Sequence, residues 1–168
     1  FGASKLSIFY YFMACCATGP VFGAIFSVYV CQKVGGYESI KVMHYCCIAA
    51  FVGILTGLPV PFMSDYRHSI YLIWFVLFSG VFMFPILTGV MLNNLEPHLK
   101  EHANSIANLS FNLFGYLPAP TVYGFMNSLD SGNEKSSNYG MILLLSTTVP
   151  VFFCMIIVTI AREKRIQS

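Results

Sequence analysis

Residues 68–95 read HSIYLIWFVLFSGVFMFPILTGVMLNNL and contain no Asp, Glu, Lys or Arg. As a helix rising about 1.5 Å per residue, this stretch reaches about 42 Å, enough to cross the hydrocarbon core of a bilayer. Four other charge-free stretches of spanning length surround it, at 6–32, 42–64, 102–129 and 136–161. The sequence therefore predicts an all-α, polytopic transmembrane helix bundle. It forms one transmembrane region with five spans at about 6–32, 42–64, 68–93, 103–127 and 138–161, followed by a tail at 162–168.

The composition excludes an ordinary soluble domain. Of the 168 residues, 57% are hydrophobic and 10% are charged, whereas soluble domains carry about 25% charged residues. The net charge is +2 and the basic residues do not cluster beyond the tail, so we expect no nucleic-acid partner. The six cysteines lie in or beside apolar stretches and are expected to pack as small apolar residues. Phe1 opens directly onto an apolar run, which is typical of the edge of a longer protein.

Lysines and arginines in the loops predict the orientation. Cytoplasmic loops carry an excess of these residues. One side of the predicted bundle has six, at Lys33, Lys41, Lys100, Arg162, Lys164 and Arg165; the other has three, at Lys5, Arg67 and Lys135. The bias predicts an integral membrane protein whose C-terminus is cytoplasmic.

Prolines and small residues inside the spans indicate how the bundle is built. Seven of the eight prolines lie within spans. Kinked or broken helices are typical of transporters, while proline is also simply more frequent in membrane helices than in soluble ones. The Gly-x-x-x-Gly pairs Gly19/Gly23 and Gly53/Gly57 predict close helix contacts within the bundle. No span contains a carboxylate or a basic residue, so a coupling carboxylate must lie elsewhere or the movement is uncoupled.

Polar residues within the spans are the candidate binding residues. Asn104, Asn108 and Asn112 stack at i, i+4 and i+8 on one helix face, where they either line a wet cavity or bond to neighbouring helices. Thr18, Ser79 and Tyr116 lie near the middle of their spans, and each also has a simpler interpretation as a packing residue.

No catalytic or cofactor motif appears. His98 and His102 have the i, i+4 spacing of a metal-chelating pair, but the chain has only four histidines and we expect no metal site. There is no nucleophile elbow, phosphate-binding glycine loop or Cys-x-x-Cys. We therefore expect no enzyme activity and no cofactor.

Two stretches resemble the major facilitator superfamily. Val28-Tyr29-Val30-Cys31-Gln32-Lys33-Val34-Gly35-Gly36-Tyr37 is similar to a degenerate form of the family's Gly-x-x-x-Asp-Arg/Lys-x-Gly loop. Lys33 and Gly35 match, while Val28 replaces the glycine and Gln32 the aspartate. The region 97–124 resembles the family's eleventh helix, with its late Pro and Gly, and is most similar to the Spinster-like and organic-anion-transporting branches.

The resemblance implies part of the C-terminal half of a major facilitator fold, helices eight to twelve. Its function would be transport of a small organic solute, an organic anion or a lipid-like molecule, by alternating access. The missing N-terminal transporter half and membrane lipid would be its partners. Thr18, Ser79 and Asn112 would lie near the path, and Gln32, Lys33 and Gly35 would form a conformational latch. Asn108 and Tyr116 complete the set of candidate substrate-binding residues. The alternative is a non-transporting membrane scaffold or assembly subunit.

Overall fold

The computed structural model describes residues 5–63, 65–129 and 136–167. Its helices, in chain order, are α1 (Lys5–Val34), α2 (Ile40–Gly57), α3 (Tyr66–Asn93), α4 (Lys100–Phe111), α5 (Pro118–Leu129), α6 (Ser136–Ser146) and α7 (Thr148–Gln167). Short 3₁₀ turns occupy Val60–Phe62 and Pro97–Leu99, and a π-helical turn occupies Asn112–Tyr116. Within these described ranges there is no β-strand, so the all-α prediction is confirmed.

Four helical regions among the described residues are long and apolar enough to cross a membrane. They are Leu6–Val34, Ile40–Phe62, Tyr66–Asn93 and Gly140–Arg165. The chain thus has the helices of a multi-pass membrane protein, and the first three regions match predicted spans closely. The predicted count of five spans is not confirmed.

The difference from the predicted count lies in the fourth predicted span, 103–127. Pro118 has no N–H, and the preceding amide, Leu117 N, donates to the carbonyl of Asn112 at 3.0 Å, which closes the π-helical turn. The region becomes two 12-residue helices, each shorter than the roughly 20 residues that a span needs.

The last predicted span, 138–161, is also interrupted. The break falls at Thr147, three residues before Pro150, and separates α6 from α7. Hydroxyls bond to the backbone beside it: Ser146 Oγ donates to the Leu143 carbonyl at 2.7 Å, and Thr148 Oγ1 donates to the Leu145 carbonyl at 2.6 Å. The apolar region nevertheless stays long enough to span.

Glycines bring α1 and α2 against α3. A Cβ built on Gly23 would lie 2.5 Å from the Phe78 carbonyl oxygen, and one built on Gly19 would lie 3.3 Å from that of Trp74. On α2, a Cβ on Gly53 would lie 3.0 Å from Ser79 Oγ. The predicted Gly-x-x-x-Gly contacts within the bundle are confirmed.

The α1–α2 loop, the end of α3 and the last part of α7 meet at one end of the bundle. The charge count assigned these three segments to one side of the membrane. Arg162 of α7 donates to the carbonyl oxygens of Tyr37 and Glu38 in the α1–α2 loop, at 2.7 and 3.1 Å. Asn93, at the end of α3, donates to Glu38 Oε1 at 3.4 Å. We call this the C-terminal end of α3, and the opposite end, where α1 and α3 begin, the N-terminal end of α3. That the C-terminal end of α3 faces the cytoplasm stays a prediction.

Candidate functional site

A cavity of about 450 Å³ lies between α1 and α3 at the N-terminal end of α3. Its residues recur at helical spacing on both helices, so one face of each helix forms a wall. They are Tyr11, Ala14, Cys15 and Thr18 on α1 and Tyr66, Arg67, Ile70, Tyr71 and Trp74 on α3. We call this the α1–α3 cavity. Four of these nine residues are aromatic, and Thr18 and Arg67 add polar groups, which is a usual make-up of a site for a small organic molecule.

Thr18 and Trp74 meet at the inner part of this cavity. Trp74 Nε1 donates to Thr18 Oγ1 at 2.9 Å, and that hydroxyl donates to the Ala14 carbonyl at 2.7 Å. The hydroxyl thus uses its donor on its own helix and accepts from the indole, which is the only tryptophan in the chain. This pair fixes the orientation of the indole ring beside the cavity.

Arg67 brings a positive charge to the cavity. Its Nε donates to Tyr66 Oη at 3.2 Å, and its guanidinium carbon lies 5.8 Å from the centroid of the same ring. The guanidinium forms no ion pair with a carboxylate of any described residue. Its charge therefore remains available to a ligand anion, which guanidinium binds well because it offers several donors in one plane.

Asp65 is the nearest carboxylate along the chain and is engaged elsewhere. One oxygen accepts from the backbone N–H of Arg67 at 3.0 Å, which caps α3, and the other contacts His68 Nδ1 at 3.0 Å. The Arg67 backbone hydrogen bond, helped by His68, lowers the pKa of the Asp65 carboxyl. The carboxylate stays ionised as a helix cap and attracts the Arg67 guanidinium at longer range, but the two groups form no ion pair.

Aromatic rings continue inward from the cavity along α3. Trp74 stacks on Phe78 with centroids 5.5 Å apart, and Phe78 stacks on Phe82 at 6.5 Å. From α1, Phe26 contacts Phe78 and Phe82 at 6.0 and 5.8 Å, and Phe22 contacts Trp74 at 6.5 Å. We call these five rings the aromatic ladder. It lies in the region where the Gly23 contact holds α1 and α3 together.

The other candidate binding residues are not in this cavity. Ser79 is buried between α2 and α3 beside Gly53, and its hydroxyl donates to the Val76 carbonyl at 3.1 Å. Asn108 and Asn112 are exposed, and Asn112 Nδ2 donates to the Asn108 carbonyl at 2.8 Å. The backbone of Tyr116 ends the π-helical turn, and its side chain lies outside the described residues. Of the four candidates whose side chains are described, only Thr18 lines the cavity.

The predicted latch residues end α1. Gln32 and Lys33 are exposed, and Lys33 Nζ lies 4.9 Å from the centroid of the Tyr29 ring. Gly35 has φ +103°, and Gly36 N donates to the Cys31 carbonyl at 2.8 Å, which closes the helix in a Schellman-type turn. Arg162, which the charge pattern placed in the tail, bonds this loop to α7, and Asn93 bonds it to α3.

Neither Arg67, which lines the α1–α3 cavity, nor Arg162, which bonds the α1–α2 loop, was predicted from the sequence as a candidate residue. Both were counted only as loop or tail charges. For Arg67, the spacing of Arg67, Tyr71 and Trp74 at i, i+4 and i+7 could have indicated one helix face carrying a cation and two aromatic rings. No comparable local signal marks Arg162, because its partners are backbone carbonyls more than a hundred residues away.

No protein-family model matches the chain, and no curated protein or solved structure matches it either. Among the described residues, no three His, Cys, Asp or Glu side chains converge in a way that could hold a metal ion.

Proposed function

We propose that this chain is part of a secondary carrier that moves a small amphiphilic organic anion across a membrane by alternating access. The observation that carries the proposal is the α1–α3 cavity. There Thr18, a candidate from the sequence, shares a site with the Arg67 guanidinium, which has no ion-pair partner among the described residues, and with four aromatic side chains, Tyr11, Tyr66, Tyr71 and Trp74. Arg67 binds the negative charge, and the rings bind the apolar part of the solute.

The resemblance to helices eight to twelve of the major facilitator superfamily supports the same proposal. It makes α1, α2 and α3 helices eight to ten, and the interrupted region 100–129 helix eleven. In a two-half carrier the pathway forms between the halves, so an N-terminal half is the expected partner of this bundle. Breaks such as the π-helical turn at Asn112–Tyr116 occur where a helix bends during transport.

The experiment is a flux measurement on the full-length protein in proteoliposomes with two probes that have similar ring systems and opposite charges. Naphthalene-2-sulfonate stays anionic at all working pH values, and N-methylquinolinium has a similar ring system with a positive charge. We expect uptake of the sulfonate and not of the quinolinium. Arg67→Gln should lower sulfonate uptake at least about tenfold, because a charge-assisted contact is worth about 1.5–3 kcal/mol.

Lys164→Gln is the matched control, because it removes one positive charge from the exposed end of α7, away from the cavity. Its sulfonate uptake should equal that of the unsubstituted protein. Equal uptake of both probes, or an Arg67→Gln variant as active as Lys164→Gln, would refute the assignment of the cavity as an anion site.

The alternative function, a membrane scaffold or assembly subunit, is favoured by one observation. Asn104, Asn108 and Asn112 all lie exposed on α4 and the turn that follows it, so their polar face is available to another helix. Asn112→Leu separates the two functions. A carrier whose path includes this face loses flux at normal expression, whereas a scaffold loses complex assembly while any flux is unaffected.

A further inference from the structure

A second cavity, of about 640 Å³, lies at the C-terminal end of α3. Its main wall is α3, and it is completed by Tyr37 of the α1–α2 loop and by Lys100, the first residue of α4. The Tyr37 ring lies directly against Gly89, where no side chain separates the ring from the helix backbone. The cavity therefore forms where the α1–α2 loop and the first residue of α4 both lie against one face of α3. We call it the α3–α4 cavity.

Two polar groups in the wall of this cavity have no partner among the described residues. The hydroxyl of Thr88 is buried and forms no hydrogen bond. Other helical threonines, such as Thr56 and Thr159, donate to the carbonyl four residues earlier. A buried hydroxyl without a partner is costly, so an acceptor supplied from outside would stabilise it. Lys100 forms no ion pair within the described ranges and supplies a positive charge.

Both cavities lie on the same face of α3. Arg67, Tyr71 and Trp74 are followed at helical spacing by Phe78, Pro85, Thr88 and Leu92. The first three line the α1–α3 cavity, the last three line the α3–α4 cavity, and Phe78 belongs to the aromatic ladder between them. From Trp74 to Phe84, the rise along the helix is about 15 Å. One helix face thus carries a cationic cavity, a stack of rings and a second cationic cavity.

We propose that the α3–α4 cavity is a second binding site for a small amphiphilic organic anion. The anionic group contacts the Lys100 ammonium and accepts from the Thr88 hydroxyl, while the apolar part lies against Phe84 and Tyr37. The class of ligand assigned to this second site, a small amphiphilic organic anion, rests on the proposed function. It adds that the chain holds two sites of like charge at the two ends of α3, separated by the aromatic ladder.

Equilibrium dialysis of naphthalene-2-sulfonate against the full-length protein in lipid nanodiscs tests the second site. We expect two molecules bound per chain. Lys100→Gln and Thr88→Val should each weaken one of the two sites about tenfold or more, and Thr88→Ser, which keeps the hydroxyl, should restore binding. Trp74 is the only tryptophan of this chain, so in a full-length protein whose tryptophans outside this chain are replaced by phenylalanine its quenching reports the α1–α3 cavity alone and should be unchanged in these variants.

The outcomes separate this proposal from the proposed function. If Lys100→Gln binds one molecule instead of two and Trp74 quenching stays intact, the result supports both the second site and the α1–α3 cavity as the solute site. Loss of the only bound molecule in Lys100→Gln, without any Trp74 quenching, supports the second site and refutes the α1–α3 cavity as the solute site. Unchanged binding in Lys100→Gln and Thr88→Val, with normal folding shown by their unfolding midpoints, overturns the second site.

Discussion

Replacing Gly23 by Ala should force α1 away from α3. The added Cβ would lie 2.5 Å from the Phe78 carbonyl oxygen and 3.2 Å from the Phe82 amide nitrogen. Both neighbours are backbone atoms, so no side chain can rotate to make room. Restoring an ordinary contact of 3.4 Å requires the two backbones to separate by about 0.9 Å at this point.

The loss of stability in Gly23→Ala can be estimated from that separation of the two backbones. A gap of 0.5–1 Å removes about a quarter to a half of the dispersion energy of each contact across a packed surface. Phe26, one turn along α1 from Gly23, contacts Phe78 and Phe82 across the same surface and loses part of this energy. Overpacking of this kind typically costs about 1–3 kcal/mol, and we expect the free energy of unfolding to fall by about 2 kcal/mol.

Reversible unfolding in mixed micelles, followed by circular dichroism as the mole fraction of dodecyl sulfate rises, measures this change. Gly80→Ala is the matched control, because a Cβ at Gly80 meets no atom within 4 Å. Gly19→Ala, whose Cβ would lie 3.3 Å from its nearest neighbour, should fall between the two. If Gly23→Ala proves as stable as Gly80→Ala, the close approach of α1 and α3 is wrong.

Three further predictions concern single contacts. Thr18→Val removes the acceptor of the Trp74 indole and should shift the fluorescence emission of Trp74 to shorter wavelength, while Thr18→Ser, which keeps a hydroxyl, should not. Equal spectra for Thr18→Val and the unsubstituted protein would argue against the contact. Arg162→Gln should speed amide hydrogen exchange in the 35–39 loop about tenfold or more, since it removes charged hydrogen bonds to two carbonyls; unchanged exchange would mean that another group holds the loop. The lowered pKa of Asp65 stabilises the fold above the carboxyl's ordinary value of 3.8, and this contribution is lost as the pH falls through the lowered pKa. The stability difference between the unsubstituted protein and Asp65→Ala should therefore shrink on acidification below pH 3.8, and a difference independent of pH would contradict the cap.

The sequence predicted the helices better than it predicted the spans. Charge-free stretches locate α1, α3 and the apolar region Ile40–Phe62, which begins with α2, within a few residues, because length and apolarity alone decide whether a helix can cross a bilayer. The region 102–129 is equally free of charge, yet Pro118 and the π-helical turn divide it into two short helices. Counting charges does not register such a break, because it depends on a single missing backbone donor.

The candidate site was predicted only in part, because the sequence does not show which face of each helix lies against which neighbouring helix. Thr18 and Ser79 both sit near the middle of their spans, but Ser79 faces Gly53 of α2 while Thr18 faces the cavity. Which face of α3 meets α1 is set by the contact between Gly23 and the Phe78 backbone. That contact cannot be predicted from the α3 sequence alone. Arg67 was therefore interpreted only as a loop charge that predicts the orientation in the membrane, and not as part of a site.

The most direct test of the proposed carrier is solute counterflow in proteoliposomes containing the full-length protein. Vesicles loaded with unlabelled naphthalene-2-sulfonate are diluted into a trace of the labelled compound, and the label inside is followed over time. An alternating-access carrier that binds anions through Arg67 should accumulate label transiently above its equilibrium level, and Arg67→Gln should abolish this overshoot. Label that rises only to equilibrium, or an overshoot unchanged in Arg67→Gln, would contradict the account.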